Sequence, residues 1–189
     1  MLPFKIVNFK QKYLIMKPNS QLLFIVNPIS GNNNKDNLIE LVREETKKRG
    51  FSLEVYKTTG DKDDEAILKL LDKLKPERVL VAGGDGTIVQ VADLLEHKAT
   101  SLGIFPAGSA NGLATNLLLP DTREEQLEIA LSDNIKEIDM LKINGQTSLH
   151  IADLGINAEL IKNYENSKIR GKLGYFLQAV PTLFKCEYP

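Results

Sequence analysis

The hydrophobic positions of the chain alternate between two patterns from residue 22 onward. Short apolar runs rich in β-branched and aliphatic residues are typical of strands buried in a parallel sheet. These strand-like segments are 22–26, 51–56, 79–82 and 102–105. The segments between them have apolar residues at helical spacing. These helix-like segments are 38–49, 63–74 and 88–95. The alternation predicts an α/β fold in which a parallel sheet is flanked by helices on both faces.

The pattern changes after Ser132. Segments 135–143 and 147–160 are typical of two antiparallel strands, and the Asn144-Gly145 dipeptide between them is a strong hairpin signal. A helix is expected at 173–185. Two strands and one helix leave an apolar face without a partner, so they do not make a stable separate unit.

We therefore divide the chain into three parts. Residues 1–20 are an N-terminal arm, for which an edge strand and a disordered leader are both consistent with the sequence. Residues 21–133 are the α/β domain. Residues 134–189 either pack on the α/β domain or are the incomplete beginning of a second, β-rich domain of something longer.

Polar clusters follow the four predicted strands, at the point where each strand ends. They are Asn27–Gly31, Thr58–Gly60, Gly83–Thr87 and Gly108–Asn111. Because the carboxyl ends of parallel strands lie at one edge of a sheet, and ligands bind at that edge, these clusters are expected to share a pocket.

The cluster at 83–87 has the sequence Gly-Gly-Asp-Gly-Thr and joins a buried strand to a helix. Glycine permits positive φ and close approach of a ligand to the backbone, while the helix N-terminus offers unpaired N–H groups. A phosphate group is the ligand that suits this arrangement. The alternative is an ordinary tight turn in which Asp85 acts only as a helix cap.

Composition excludes some classes of protein. The 24 basic and 25 acidic residues leave a net charge of −1, which indicates no nucleic-acid partner. Cys186 is the only cysteine, so no intrachain disulfide is expected. No apolar run approaches the roughly 20 residues of a membrane span, and the first residues lack the pattern of a secretory signal. These features favour a cytoplasmic protein; the oligomeric state cannot be predicted.

Three motifs together resemble one known family. They are Asn27-Pro28-Ile29-Ser30-Gly31, Gly83-Gly84-Asp85-Gly86-Thr87 and Pro106-Ala107-Gly108-Ser109-Ala110-Asn111. In this order and spacing they resemble the diacylglycerol kinase catalytic family, which includes bacterial lipid kinases, sphingosine kinases and ceramide kinase. The likeness continues through segments 138–140, 150–155 and 171–176. Gly-Gly-Asp-Gly alone is shared with NAD kinases and phosphofructokinases.

The resemblance implies an enzyme that uses ATP and Mg²⁺ to phosphorylate a lipid hydroxyl. It implies that nucleotide binds between the 21–133 domain and the β-rich lid domain that begins at 134. The lipid, diacylglycerol or a sphingoid-type acceptor, would be reached by peripheral contact with the inner face of the membrane.

The resemblance also implies the site residues. Those expected to contact the nucleotide are Asn27, Pro28, Ser30, Gly31, Gly83, Gly84, Asp85, Gly86, Thr87, Gly108, Ser109 and Asn111. The family's threonine in the same cleft corresponds to Thr58 or to Thr59. Asp139 matches an acidic position that supports the magnesium and active-site network, so it is an expected catalytic residue beside Asp85, and Glu159 matches one near the lipid head group.

Asp85 is the expected catalytic and metal-binding residue. A transferring phosphoryl group needs positioning, Mg²⁺ and positive dipoles more than covalent help. A carboxylate at position 85 can hold Mg²⁺ or its waters, or it can act as the general base on the acceptor hydroxyl.

The chain departs from the family pattern at three places. Gln90 stands where Glu is usual, and Gly112 replaces an Asp of the bacterial members. The third concerns length: family members are longer, and the acidic residue often assigned as their catalytic base would lie beyond Pro189. Two other functions therefore remain open: a soluble-substrate kinase of the NAD kinase type, and a nucleotide-binding module without catalysis.

Overall fold

The computed structural model describes residues 5–7, 16–31, 34–143 and 145–149 of the chain. Its strands are β1 (Lys5–Val7), β2 (Gln21–Val26), β3 (Ser52–Lys57), β4 (Arg78–Gly83), β5 (Ser101–Pro106), β6 (Met140–Ile143) and β7 (Gln146–Ser148). Its helices are α1 (Asp36–Lys48), α2 (Asp63–Leu74), α3 (Asp85–Leu94), α4 (Gly112–Asn116) and α5 (Arg123–Leu131). None of the described helices combines the length and apolar character needed to cross a bilayer.

The main sheet has four strands in the order β3-β2-β4-β5, and all neighbours are parallel. The chain passes from β2 to β3 on one side and then returns to place β4 on the other side of β2. The strand order therefore reverses between β2 and β4. In open parallel sheets such a reversal leaves a crevice outside the carboxyl ends of the strands, where ligands bind.

The two central strands are buried on both faces, because helices cover both sides of the sheet. Residues 22–26 of β2 and 79–82 of β4 have no solvent-exposed surface. Alternate side chains point to opposite faces. Leu22, Phe24 and Val26 pack with α1 and α5, whereas Leu23 and Ile25 pack with α2, α3 and α4. The predicted α/β fold with a helix-flanked parallel sheet is confirmed.

A smaller antiparallel sheet has the order β1-β6-β7. The expected hairpin is confirmed, with Gly145 at φ +82° in the turn between β6 and β7. The predicted start of its first strand at 135 is wrong. Residues 134–139 are irregular, because Ile138 packs against the apolar cluster on the α2/α3 face instead of joining the ladder.

The N-terminal arm contributes an edge strand at Lys5–Val7, which pairs with β6. The rest of the second predicted strand, residues 150–160, and the helix expected at 173–185 lie outside the described residues. The division of the chain at residues 20 and 133 therefore stays a prediction.

Candidate functional site

Asn27 lies directly after β2, at the crevice where the strand order reverses. Its backbone N–H donates to the carbonyl of Ala82 at 2.8 Å, and its side-chain amide donates to Thr87 Oγ1 at 2.9 Å. Its Oδ1 accepts from the N–H of Ile29 at 3.1 Å, which bends the chain as in an Asx turn. The Ser30 hydroxyl donates to the Asn27 carbonyl at 2.9 Å. The loop after β2 is thus held against the loop after β4.

The glycines allow the backbones of these loops to come closer than side chains would permit. A methyl group on Gly108 would lie 2.5 Å from the Cα of Gly84. A methyl group on Gly31, whose φ is +57°, would lie 2.6 Å from the carbonyl oxygen of Ala107. Gly83 packs in the same way against Thr87, whose Cβ would be 2.5 Å from the added carbon. These glycines are therefore required by packing within the protein.

Asp85 connects the loop after β4 to the loop after β5. Its two carboxylate oxygens accept hydrogen bonds from the backbone N–H groups of Gly112 at 2.8 Å and Leu113 at 3.0 Å. These donors belong to the first turn of α4, which otherwise has no side-chain cap. Asp85 is thus a cap, as the alternative interpretation of the sequence held, but the helix that it caps is α4, across the crevice.

Asn111 fixes the shape of the loop after β5. It is in the left-handed backbone region, with φ at +53°. Its side chain accepts from the N–H of Gly108 at 2.8 Å and donates to the Gly108 carbonyl at 3.0 Å. This pair of hydrogen bonds closes a small ring that leaves Ser109 exposed at the tip. Asn111 therefore acts on the loop's geometry in addition to its predicted place in the site.

The loop after β3 is organised around Asp63. This buried carboxylate accepts from the backbone N–H groups of Thr59 at 2.9 Å and Gly60 at 2.8 Å, and from the hydroxyl of Tyr56 at 2.7 Å. Burial raises the pKa of Asp63, but these hydrogen bonds outweigh it, and the net pKa is lowered. The hydrogen bond from the Tyr56 hydroxyl to the Asp63 carboxylate, together with burial, raises the pKa of Tyr56 to about 12.

This arrangement separates the two candidate threonines. The Thr59 hydroxyl is within hydrogen-bond distance of Asp63 Oδ1 and of the Asp61 carbonyl. Thr58 is half-buried, and its backbone N–H donates to the carbonyl of Val26 at 2.8 Å, beside the loop after β2. Among the described residues, no side-chain hydrogen bond joins either threonine to the loops at 27–31, 83–87 or 108–111. The structure brings three of the four predicted loops together.

A cavity of about 420 Å³ opens between the loops after β2 and β5. Its walls include Gly31, Gly108 and Ser109 from the predicted site, together with two basic residues, Lys35 and Arg123. Neither basic residue was predicted. They lie at the starts of α1 and α5, next to the acidic residues that are usual there, Asp36 in α1 and Glu124 and Glu125 in α5. A basic residue among them is the signal that could have indicated these positions.

Gln90, the first departure from the family pattern, contacts an acidic residue. Its side-chain amide donates to Asp64 at 2.6 Å, which connects α3 to the start of α2. A glutamate at position 90 would place two carboxylates together, so the substitution removes a repulsion. Gly112, the second departure, presents its N–H to Asp85.

The two remaining predicted residues are not tested. Asp139 is exposed just before β6, and no described hydrogen bond connects it to the three loops. Glu159 lies outside the described residues. Within the described part of the chain, no group of three or more carboxylate, histidine or cysteine side chains is arranged to hold a metal ion. The assignments of Asp139 to the magnesium network and of Glu159 to the lipid head group stay predictions.

Comparisons with known proteins agree with the motifs. Residues 21–143 match the model of the diacylglycerol kinase catalytic domain. A protein of Pectobacterium atrosepticum named "Probable lipid kinase YegS-like" is 32% identical over 177 residues, which cover 91% of this chain and 58% of that protein. A "Probable lipid kinase YegS" of Salmonella arizonae is 31% identical over 140 residues, which cover 72% of this chain and 46% of that protein.

A solved structure shows the same fold. The crystal structure of a diacylglycerol kinase from Bacillus anthracis superimposes with a TM-score of 0.58 at 26% identity. The match covers 68% of this chain and 47% of that one.

The fold is a parallel sheet flanked by helices, and its glycine loops meet where the strand order reverses. These features define the class of open α/β proteins that bind ligands at the carboxyl edge of the sheet. The chain belongs to the diacylglycerol kinase catalytic domain family. The resemblance inferred from its motifs is confirmed. The chain spans about half the length of the curated relatives that it matches, 58% of one and 46% of another.

Proposed function

We propose that this chain is the nucleotide-binding part of an ATP-dependent lipid kinase that transfers the γ-phosphoryl group of ATP to a lipid hydroxyl. The observation that supports this most directly is the convergence of three loops at the crevice between β2 and β4 and the neighbouring end of β5. The names of the relatives point to the same activity. The acceptor, a diacylglycerol or a sphingoid-type lipid, would be reached at the cytoplasmic surface of a membrane.

The residues present are suited to the phosphates of a nucleotide. The N-cap of α3 is Gly84, whose lack of a side chain leaves the first N–H groups of that helix without a side-chain acceptor. Uncapped N–H groups at the positive end of a helix favour a bound phosphate. Gly86 is exposed, and apart from its own turn of helix no described residue has an atom within 4 Å of where its Cβ would be. We place the phosphates against this turn.

Asp85 is also suited to Mg²⁺. Proteins commonly bind Mg²⁺ through one or two carboxylates, with phosphate oxygens and waters completing the shell. Each Asp85 oxygen accepts one N–H group and keeps a further lone pair for a metal-bound water. When bound, Mg²⁺ would neutralise charge that develops on the transferring phosphoryl group. Asp85 would then orient that ion while holding α4 in place.

The activity is tested by incubating the full-length protein with ATP, Mg²⁺, NAD and a lipid mixture containing diacylglycerol, sphingosine and ceramide, followed by mass spectrometry of the products. We expect a phosphorylated lipid, whose mass identifies the acceptor. Conversion of NAD to NADP without lipid phosphorylation would instead show a soluble-substrate kinase. Binding of Mg·ADP by calorimetry without any phosphorylated product would show a nucleotide-binding module. Absence of both Mg·ADP binding and a phosphorylated product would contradict the proposal.

Gly86→Ala separates a role in folding from a role in ligand binding. Since the added methyl meets no atom within 4 Å from the described residues beyond its own helical turn, the free energy of unfolding should stay equal or rise by up to about 1 kcal/mol through better helix propensity. If phosphates pack on this turn, the methyl should weaken Mg·ADP binding by about tenfold or more, or about 1.4 kcal/mol. Denaturant unfolding and calorimetry measure the two quantities, and unchanged affinity would contradict our placement of the phosphates.

A further inference from the structure

Two cations from different helices line the cavity between the loops after β2 and β5. Lys35 is the N-cap residue of α1, and only 6% of its surface is exposed. Its Nζ donates to the carbonyl of Ser30. Arg123 is the first residue of α5 and is half-buried. Its Nη1 is 3.0 Å from the carbonyl of Pro106 and 2.8 Å from Oε1 of Gln126.

This placement brings two positive charges to the same cavity. Helix N-termini have partial positive charge, to which a basic residue adds, and the first turns also carry acidic residues, Asp36 in α1 and Glu124 and Glu125 in α5. Burial lowers the pKa of Lys35, and the nearby Arg123 guanidinium lowers it further. Burial also lowers the pKa of Arg123, and no carboxylate in the described part of the chain opposes that shift.

Neighbouring acidic side chains have other partners. Asp36 pairs with Lys57 at 2.9 Å, and Glu125 accepts from the Thr122 hydroxyl. The described oxygens that contact Arg123 are therefore neutral ones. Two cations from the starts of different helices thus line one cavity of about 420 Å³, and an anion bound there would be stabilised by both.

We propose that Lys35 and Arg123 bind a phosphate group in this cavity. A guanidinium presents a planar pair of donors that matches phosphate oxygens, and an ammonium adds a compact second charge. The exposed Ser109 lines the same cavity and supplies a hydroxyl donor. That the phosphate belongs to the nucleotide rests on the proposed function; the existence of the anion site does not.

The site is tested by calorimetric titration of the full-length protein with Mg·ADP and, separately, with inorganic pyrophosphate. The variants are Arg123→Gln and Lys35→Gln, with Arg123→Lys as the conservative replacement. Arg43→Gln is the matched control, since Arg43 is exposed on α1 and pairs only with Glu40 at 3.7 Å among its described contacts. Unfolding of each variant without ligand shows whether it folds like the parent protein.

We expect pyrophosphate to bind the parent protein, and each Gln variant to bind it at least about tenfold more weakly. Arg43→Gln should bind it normally, and Arg123→Lys should recover part of the affinity. An equal loss for Mg·ADP assigns the phosphate to the nucleotide, whereas unchanged Mg·ADP affinity supports a separate anion such as a lipid phosphate. If Mg·ADP never binds but pyrophosphate does, the proposed function fails while this site stands. Absence of pyrophosphate binding, or equal binding by all variants, would overturn the site.

Discussion

Asp85→Ala is expected both to destabilise the fold and to abolish lipid phosphorylation in the full-length protein. The substitution leaves the N–H groups of Gly112 and Leu113 without their acceptor. Hydrogen bonds to charged groups are worth about 1.5–3 kcal/mol each when buried, and because Asp85 is half-exposed we expect about 1.5–3 kcal/mol for the pair. Denaturant unfolding measures this loss, and product formation from ATP and lipid measures the activity.

Asp85→Asn distinguishes the structural role from the chemical one. The amide oxygen of Asn can still accept from one of the two N–H groups, whereas its NH2 group cannot accept from the other. Asp85→Asn should therefore be less destabilised than Asp85→Ala. A role in binding Mg²⁺ or accepting a proton needs the carboxylate, so activity should still be lost. Asp61→Ala, in an exposed loop, is the control and should change stability by less than about 0.5 kcal/mol. An active, stable Asp85→Ala protein would contradict both roles.

Gly108→Ala should lower the free energy of unfolding by about 1–3 kcal/mol, as overpacking of a tight contact does. The added carbon would lie 2.5 Å from the Cα of Gly84 and 3.1 Å from Oδ1 of Asn111. The closer neighbour is backbone, and the Asn111 side chain is held by its hydrogen bonds to Gly108, so one loop must move away from the other. We expect the displacement to reduce Mg·ADP affinity as well.

Gly86→Ala is the matched control for this substitution, since the same methyl group is added where the described part of the chain, outside the local helical turn, places no atom within 4 Å. Gly108→Ala should lose both stability and affinity, whereas Gly86→Ala should lose affinity alone. Thermal unfolding with and without Mg·ADP measures both effects. Equal stability of the two variants would show that the loops after β4 and β5 do not need their close approach.

The sequence was sufficient for those features that local patterns determine. The apolar runs at 22–26 and 79–82 indicated strands buried on both faces, and both prove to be fully buried. Asn-Gly at 144–145 indicated a hairpin whose strands pair as expected. The motif loops were placed at the carboxyl ends of strands because parallel topology requires it.

Features that depend on long-range contacts could not be predicted. The partners of Asp85 are 27 and 28 residues away in the chain, and nothing near position 85 indicates a cap for α4. Arg123 reaches the cavity only because α5 packs beside α1 on one face of the sheet. Arg78 has 2% exposure and donates to Ser101 and to two carbonyls at the C-terminal end of α5, those of Ala130 and Ser132. A charged residue at the start of a strand does not by itself indicate burial.

The position of β4 has a thermodynamic consequence for the loop that follows it. This strand is paired on both sides, and its residues are buried on both faces. Its C-terminal turn is therefore anchored in the least deformable part of the sheet, and Asn27 and Asp85 join it to the neighbouring loops. Most of the conformational entropy of these segments is lost when the chain folds, so little remains to be lost when a ligand arrives.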